Sequence, residues 1–138
     1  MIMQEDKIVD IPAERIKFFG GPGKMLLPCP ATIAAVIMSI PEQQLMTTNQ
    51  LTKTLTAQFE VEGTCPITTK NSLKALANDP NQQVAYWRVI KSSGGLFSSF
   101  PGGVDGHAAR LEQEGCTIDT HGKAPKVKDF GQRLARFA

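Results

Sequence analysis

Two short amphipathic helices, almost end to end, constrain this chain more than any other feature. In residues 49–59 the apolar stripe is Leu51, Leu55 and Phe59, at the spacing of one helix face. Thr48 is placed to cap that helix. In residues 68–78 the stripe is Leu73, Leu76 and Ala77, with Thr68 placed as the cap. Only residues 60–67 lie between them, and Gly63 and Pro66 read there as breakers. Neither helix buries its stripe alone, so the pair must pack on a third element. Residues 30–40 supply one through Ile33, Val36, Ile37 and Ile40, and Pro41 stops it.

The segment after the helix pair narrows the fold further. Val84-Ala85-Tyr86-Trp87-Arg88-Val89-Ile90 is rich in β-formers, Ser92-Ser93-Gly94-Gly95 is a turn, and Leu96-Phe97 returns as a short strand. After Pro101-Gly102-Gly103, a helix runs from Val104 to Glu114 with Val104, Ala108 and Leu111 inward and Gly115 as its stop. The expected class is mainly α with a small β-hairpin, a helix-turn-helix with a wing, over residues 25–118. Residues 1–24 form an N-terminal arm, with a short helix from Pro12 to Phe19. Residues 119–138 form a basic tail whose Val127, Phe130, Leu134 and Phe137 fall at helical spacing, so an amphipathic helix is expected there.

Composition removes several function classes. A length of 138 residues fits one domain, and 41% hydrophobic against 20% charged residues marks a folded chain. Cys29, Cys65 and Cys116 are widely spaced, and His107 and His121 are the only histidines, so no zinc set and no cofactor is expected; three reduced thiols are. Gly20-Gly21-Pro22-Gly23-Lys24 is not a phosphate loop, because Phe18 stands at the first glycine position and Met25 follows the lysine. No apolar run reaches membrane length, and the first residues lack a secretory pattern. The expectation is a cytoplasmic protein without a membrane partner. The net charge of +2 is unevenly spread: residues 45–100 carry +2 and residues 119–138 carry +3. A polyanion partner suits that distribution.

On the second helix of the pair, Thr68, Thr69, Lys70, Asn71 and Lys74 occupy the start and outer flank. A helix N-terminus with hydroxyls and lysines around it contacts phosphate well, and Thr48 opens the preceding helix for the same use. A solvated polar face has the same composition.

The order of motifs favours the first. Ile40-Pro41, Thr47-Thr48, Asn78-Asp79-Pro80, Tyr86-Trp87-Arg88-Val89-Ile90, Ser93-Gly94, Gly102-Gly103 and Leu111-Glu112-Gln113-Glu114-Gly115 occur in that sequence. The chain resembles the C-terminal DNA-binding domain of the alkylguanine-DNA alkyltransferases (methylated-DNA–protein-cysteine methyltransferases), and most closely a divergent alkyltransferase-like branch. The resemblance covers roughly 80 of the 138 residues and is strongest over 86–115.

The resemblance implies a base pocket of Asn78, Tyr86, Trp87, Val89, Pro101, Gly102, Gly103 and Glu114, and a DNA face that includes Arg88. The acceptor cysteine falls on Tyr86 and its activating histidine on Trp87. A phenol beside an indole supplies neither thiolate nor base, so no alkyl transfer is expected. Glu114 matches the glutamate that orients the histidine, and it can equally serve as a helix-end charge. Arg88 can contact phosphate or form a structural ion pair; Trp87 can be core or can stack on a base. The stack-entering arginine falls on Thr69. Tyr86 either stacks on a base or fills the pocket, and with Pro101 it reduces the room there; less than about tenfold preference for alkylguanine is expected on that ground. Three functions remain: a non-enzymatic binder of double-stranded DNA that senses alkylated guanine, a sequence-tolerant winged-helix binder, and a protein-interaction module docking through the C-terminal tail.

Overall fold

In the computed structural model, residues 5–122 and 124–135 are described. The helix pair forms, but both helices begin earlier than expected. Helix α3, Thr48–Gln58, is capped by Thr47. The Thr47 hydroxyl accepts the Gln50 N–H at 3.2 Å, and the Gln50 side-chain oxygen accepts the Thr47 N–H at 3.0 Å. A capping box closes only on the residue three before its Gln, which makes Thr47 the cap and moves Thr48 into the first turn. Helix α4, Pro66–Ala77, starts at the proline that reads as a breaker. Proline suits the first helical position because its missing N–H is one that no helix bond uses.

The earlier start of α4 fixes which residues face inward. Thr69 is 1% exposed, and its hydroxyl donates to the Cys65 carbonyl at 2.8 Å. Ser72 is buried and donates to the Pro28 carbonyl at 2.7 Å. Leu73, Leu76 and Ala77 complete the inner face and meet helix α2, Pro30–Met38, through Ile33, Val36 and Ile37. Lys70, Asn71, Lys74 and Asn78 are left outside.

Residues 84–97 do not form the expected hairpin. Tyr86–Arg88 is a turn of 3-10 helix, and only Val89–Ile90 (β5) is a strand. It pairs in parallel with β3, Met46–Thr47, Met46 opposite Val89. Leu96 and Phe97 are buried in the core, and the Phe97 N–H donates to the ring Nδ1 of His107 at 3.0 Å. That donor is therefore unavailable to a strand partner. The Lys91–Gly95 turn is closed by a bond from the Lys91 N–H to the Gly95 carbonyl at 2.9 Å. Helix α5, Gly103–Gln113, forms as expected.

Both flanks belong to the body. The arm contributes β1, Lys7–Asp10, antiparallel to β2, Lys24–Leu27, which runs parallel to β4, Gly63–Thr64. Between β1 and β2 the 3-10 turn Ala13–Arg15 and the short helix α1, Ile16–Phe19, seat Phe19 on Gly63, where a Cβ would lie 2.2 Å from the ring. The expected tail helix does not form. Lys126–Val127 (β7) pairs with Ile118–Asp119 (β6), Asp129 adopts a left-handed conformation at φ 53°, and Phe130–Arg133 is a 3-10 turn. Beyond it the chain pairs with Leu45, whose N–H donates to the Arg133 carbonyl at 2.7 Å and whose carbonyl accepts the Ala135 N–H at 2.8 Å. Val127 and Ala135 are 1% and 2% exposed and belong to the core, and Phe130 and Leu134 pack half-buried against it. Phe137 lies outside the described residues.

Three apolar clusters result. One gathers α2, α3, α4, Tyr86, Phe97 and Phe100; a second gathers Leu45, Ile90, Leu111, Cys116 and Val127; Trp87 packs against both. A third, Ile11, Met25 and Cys65, seats the arm. All three cysteines are buried free thiols. Among the described residues no helix is long and apolar enough to cross a membrane, and no three potential metal ligands converge.

Candidate nucleic-acid interface and base groove

Helix α4 presents Lys70, Asn71 and Lys74 to solvent, with Ile67 55% exposed at its first turn. Thr68 is half-buried, and Thr69 faces the core. Thr69 is thus removed from the contact set that the sequence suggested, because a helix starting at Pro66 turns it inward. Lys70 borders a groove of about 750 Å³ whose other walls include Thr48 and Lys53 of α3, Ser92 of the 91–95 turn, and Phe18 of α1. The Thr48 and Ser92 hydroxyls lie 3.3 Å apart. Phe18 is 71% exposed; the arm's strand pairing places it there, and no local pattern in the sequence signals that position.

Arg88 is not part of that face. Its Nε donates to Glu114 at 3.0 and 3.2 Å, its terminal nitrogen donates to the Ile40 carbonyl at 2.8 Å, and its side chain is only 15% exposed. Of the two readings of Arg88, the structural ion pair is the one found. Glu114 also accepts the Gln43 N–H at 3.0 Å and the indole N–H of Trp87. Burial pushes the Glu114 carboxyl up, but these hydrogen bonds and the Arg88 charge outweigh it and hold the group below the usual glutamate range.

A second groove, about 580 Å³, opens on the face formed by Asn78, Tyr86, Trp87, Pro101 and Arg110. Tyr86 does not fill it. Its ring is 4% exposed and stands edge-on to Trp87 at 5.2 Å and to Phe100 at 5.1 Å. The expected loss of room at Tyr86 is therefore corrected: the ring is turned into the core and forms part of the groove's floor. Asn78 spans its own helix end and the next loop, donating to the Lys74 and Ser99 carbonyls, both at 2.9 Å. Gly102 and Gly103 have φ of 78° and 67° and turn the chain into α5, while Val89 is fully buried beneath. None of these three lines the groove.

Two residues of this region were not anticipated from the sequence. His107 is wholly buried; its Nδ1 accepts the Phe97 N–H, so Nε2 carries the proton and donates to the Trp87 carbonyl at 2.8 Å. Burial lowers its pKa to about 4, with the Trp87 bond opposing the drop. Its place between Val104 and Leu111 on the inner stripe was the available signal. Arg110 lies over the Trp87 ring, 5.0 Å from its centroid.

No protein-family model matches the chain, and no curated protein matches it. Solved structures do. The chain has the fold of S. pombe Atl1. One Atl1 structure, in complex with damaged DNA containing O6-carboxymethylguanine, superposes with a TM-score of 0.61 at 19% identity, over 78% of this chain and 94% of that one. A second, S. pombe ATL in complex with DNA, gives a TM-score of 0.63 at 18% identity over the same shares. The match agrees with the mainly helical class that the sequence suggested, with five α-helices among the described residues and small sheets in place of the expected hairpin.

Proposed function

We propose that this protein is a non-enzymatic DNA-binding protein that senses alkylated or otherwise damaged guanine and transfers no alkyl group. The observation that carries the reading is a juxtaposition. Thr48, Lys70 and Ser92, remote in sequence, border one groove, and Tyr86 floors and Trp87 walls another that is open to solvent. The first supplies lysines and hydroxyls for the phosphates of a duplex, with α4 as the helix that faces a groove of the duplex and the 91–95 turn in the position of a wing. The second supplies an aromatic-floored recess for a single extruded base. The Atl1 likeness supports both, since those neighbours were solved on DNA, one of them on a carboxymethylated guanine.

Chemistry at the recess supports binding without transfer. Tyr86 is a phenol with its ring held in the core, and the Trp87 indole has no lone pair to act as a base. Cys29, Cys65 and Cys116 are buried and do not line the recess. Incubation with duplex containing O6-methylguanine tests this by intact-mass spectrometry: the protein mass stays unchanged while the duplex is bound. A stoichiometric gain of one methyl group overturns the reading.

A further inference from the structure

We propose that Arg110 tunes the groove beside Trp87 toward a base whose substituent carries a negative charge. The inference rests on the groove being a base site and adds the chemistry of what it prefers. Two arginines approach Trp87. Arg88 is neutralised by Glu114, which also accepts the indole N–H, and does not line the groove. Arg110 projects from the outer side of α5, is exposed, and forms no ion pair among the described residues. Its guanidinium lies over the Trp87 ring, 5.0 Å from the centroid, and the indole N–H is itself held by Glu114, which places the cation at the groove wall. A guanidinium offers paired N–H donors in the geometry of a carboxylate.

The other charged side chain of this groove is Asp79, whose carboxylate already accepts the Asn81 N–H at 2.9 Å. Asn78, Gln82 and Gln83 supply neutral polar edges. Among the described residues, Arg110 is thus the one cation lining the groove. An anion reaching it has two sources: a carboxylate on the modified base, or a phosphate of the nucleotide that carries it. The position against the indole, among the groups that would flank a base, favours the first.

The experiment compares three matched duplexes, carrying guanine, O6-methylguanine or O6-carboxymethylguanine, binding to the full chain and to Arg110→Gln. The wild type is expected to bind the carboxymethyl duplex about threefold to fivefold more tightly than the methyl one at about 0.1 M salt, the range of an exposed charge pair. Arg110→Gln should erase that gap, and Arg110→Lys should keep part of it. Equal affinity for the two lesions in the wild type overturns the proposal. So does an equal loss on all three duplexes in Arg110→Gln, which assigns the residue to a phosphate. Failure of the base-site reading looks different: neither lesion is then preferred over guanine, and the proposal falls with it.

Discussion

Trp87 donates its indole N–H straight to the carboxylate of Glu114. Where the alkyltransferase resemblance places a histidine steered toward a reactive thiol, this chain has a donor that cannot exchange its role with an acceptor. The same carboxylate holds Arg88 and the Gln43 backbone, so Glu114 ties the end of α5 to the turn before β5 and to the loop after α2. It is a structural hub whose contacts orient Trp87, one wall of the groove of about 580 Å³.

Glu114→Ala should therefore destabilise the fold. It leaves Arg88 partly buried without its counter-charge and Trp87 without its acceptor, a loss of about 2–4 kcal/mol. Denaturant unfolding measures it; a change under about 0.5 kcal/mol would show that the hub is replaceable by water. Glu114→Gln should recover part of the loss by still accepting the indole N–H.

Acid should destabilise the protein before its carboxylates titrate. His107 has a folded pKa of about 4 against 6.5 for an unperturbed histidine, so the unfolded chain binds a proton that the fold excludes. Stability is fully present above about pH 6.5 and falls as pH drops toward about 4, by about 3 kcal/mol in all. Glu114, with its lowered pKa, adds a loss in the same direction below the usual glutamate range. Melting temperature followed from about pH 7 to about pH 4 should fall in the wild type and much less in His107→Gln. A flat profile in the wild type would contradict the buried neutral histidine.

The two faces of α4 separate binding from stability. Lys70→Ala and Lys74→Ala should each weaken duplex binding irrespective of sequence and flatten its salt dependence by about one unit of slope per lost phosphate contact. Thr69→Ala should leave the slope alone and lower stability by about 1 kcal/mol, because its hydroxyl bonds to Cys65 inside the protein. A salt slope unchanged in both lysine variants would place the DNA face elsewhere.

Much of this architecture was legible in the sequence. The stripes of α2, α3 and α5 needed only helical spacing, and the motif order from Ile40 to Gly115 led to the right overall fold. The errors have a common physical origin in tertiary context. Pro66 looks the same as a breaker and as a first helical residue, and choosing the first meaning put Thr69 outside. Phe97 has strand propensity, but a histidine ten residues on takes its N–H. Val127, Phe130 and Leu134 fit a helix period, yet Val127 pairs with Ile118, Phe130 opens a 3-10 turn, and Leu134 bridges Leu45. In the groove, Asn78, Tyr86, Trp87 and Pro101 were all anticipated. Arg110 and Phe18 were not, since a charged helix residue and an aromatic in a short arm carry no local sign of what they will face.

Competition between matched duplexes with and without O6-methylguanine for the unmodified protein, read by fluorescence anisotropy, tests the base site most directly. An open groove floored by Tyr86 and walled by Trp87 predicts that the lesion duplex wins by about tenfold or more, roughly 1.4 kcal/mol, with the protein mass unchanged afterwards. Equal competition by the two duplexes would contradict the base site and leave only a sequence-tolerant DNA binder.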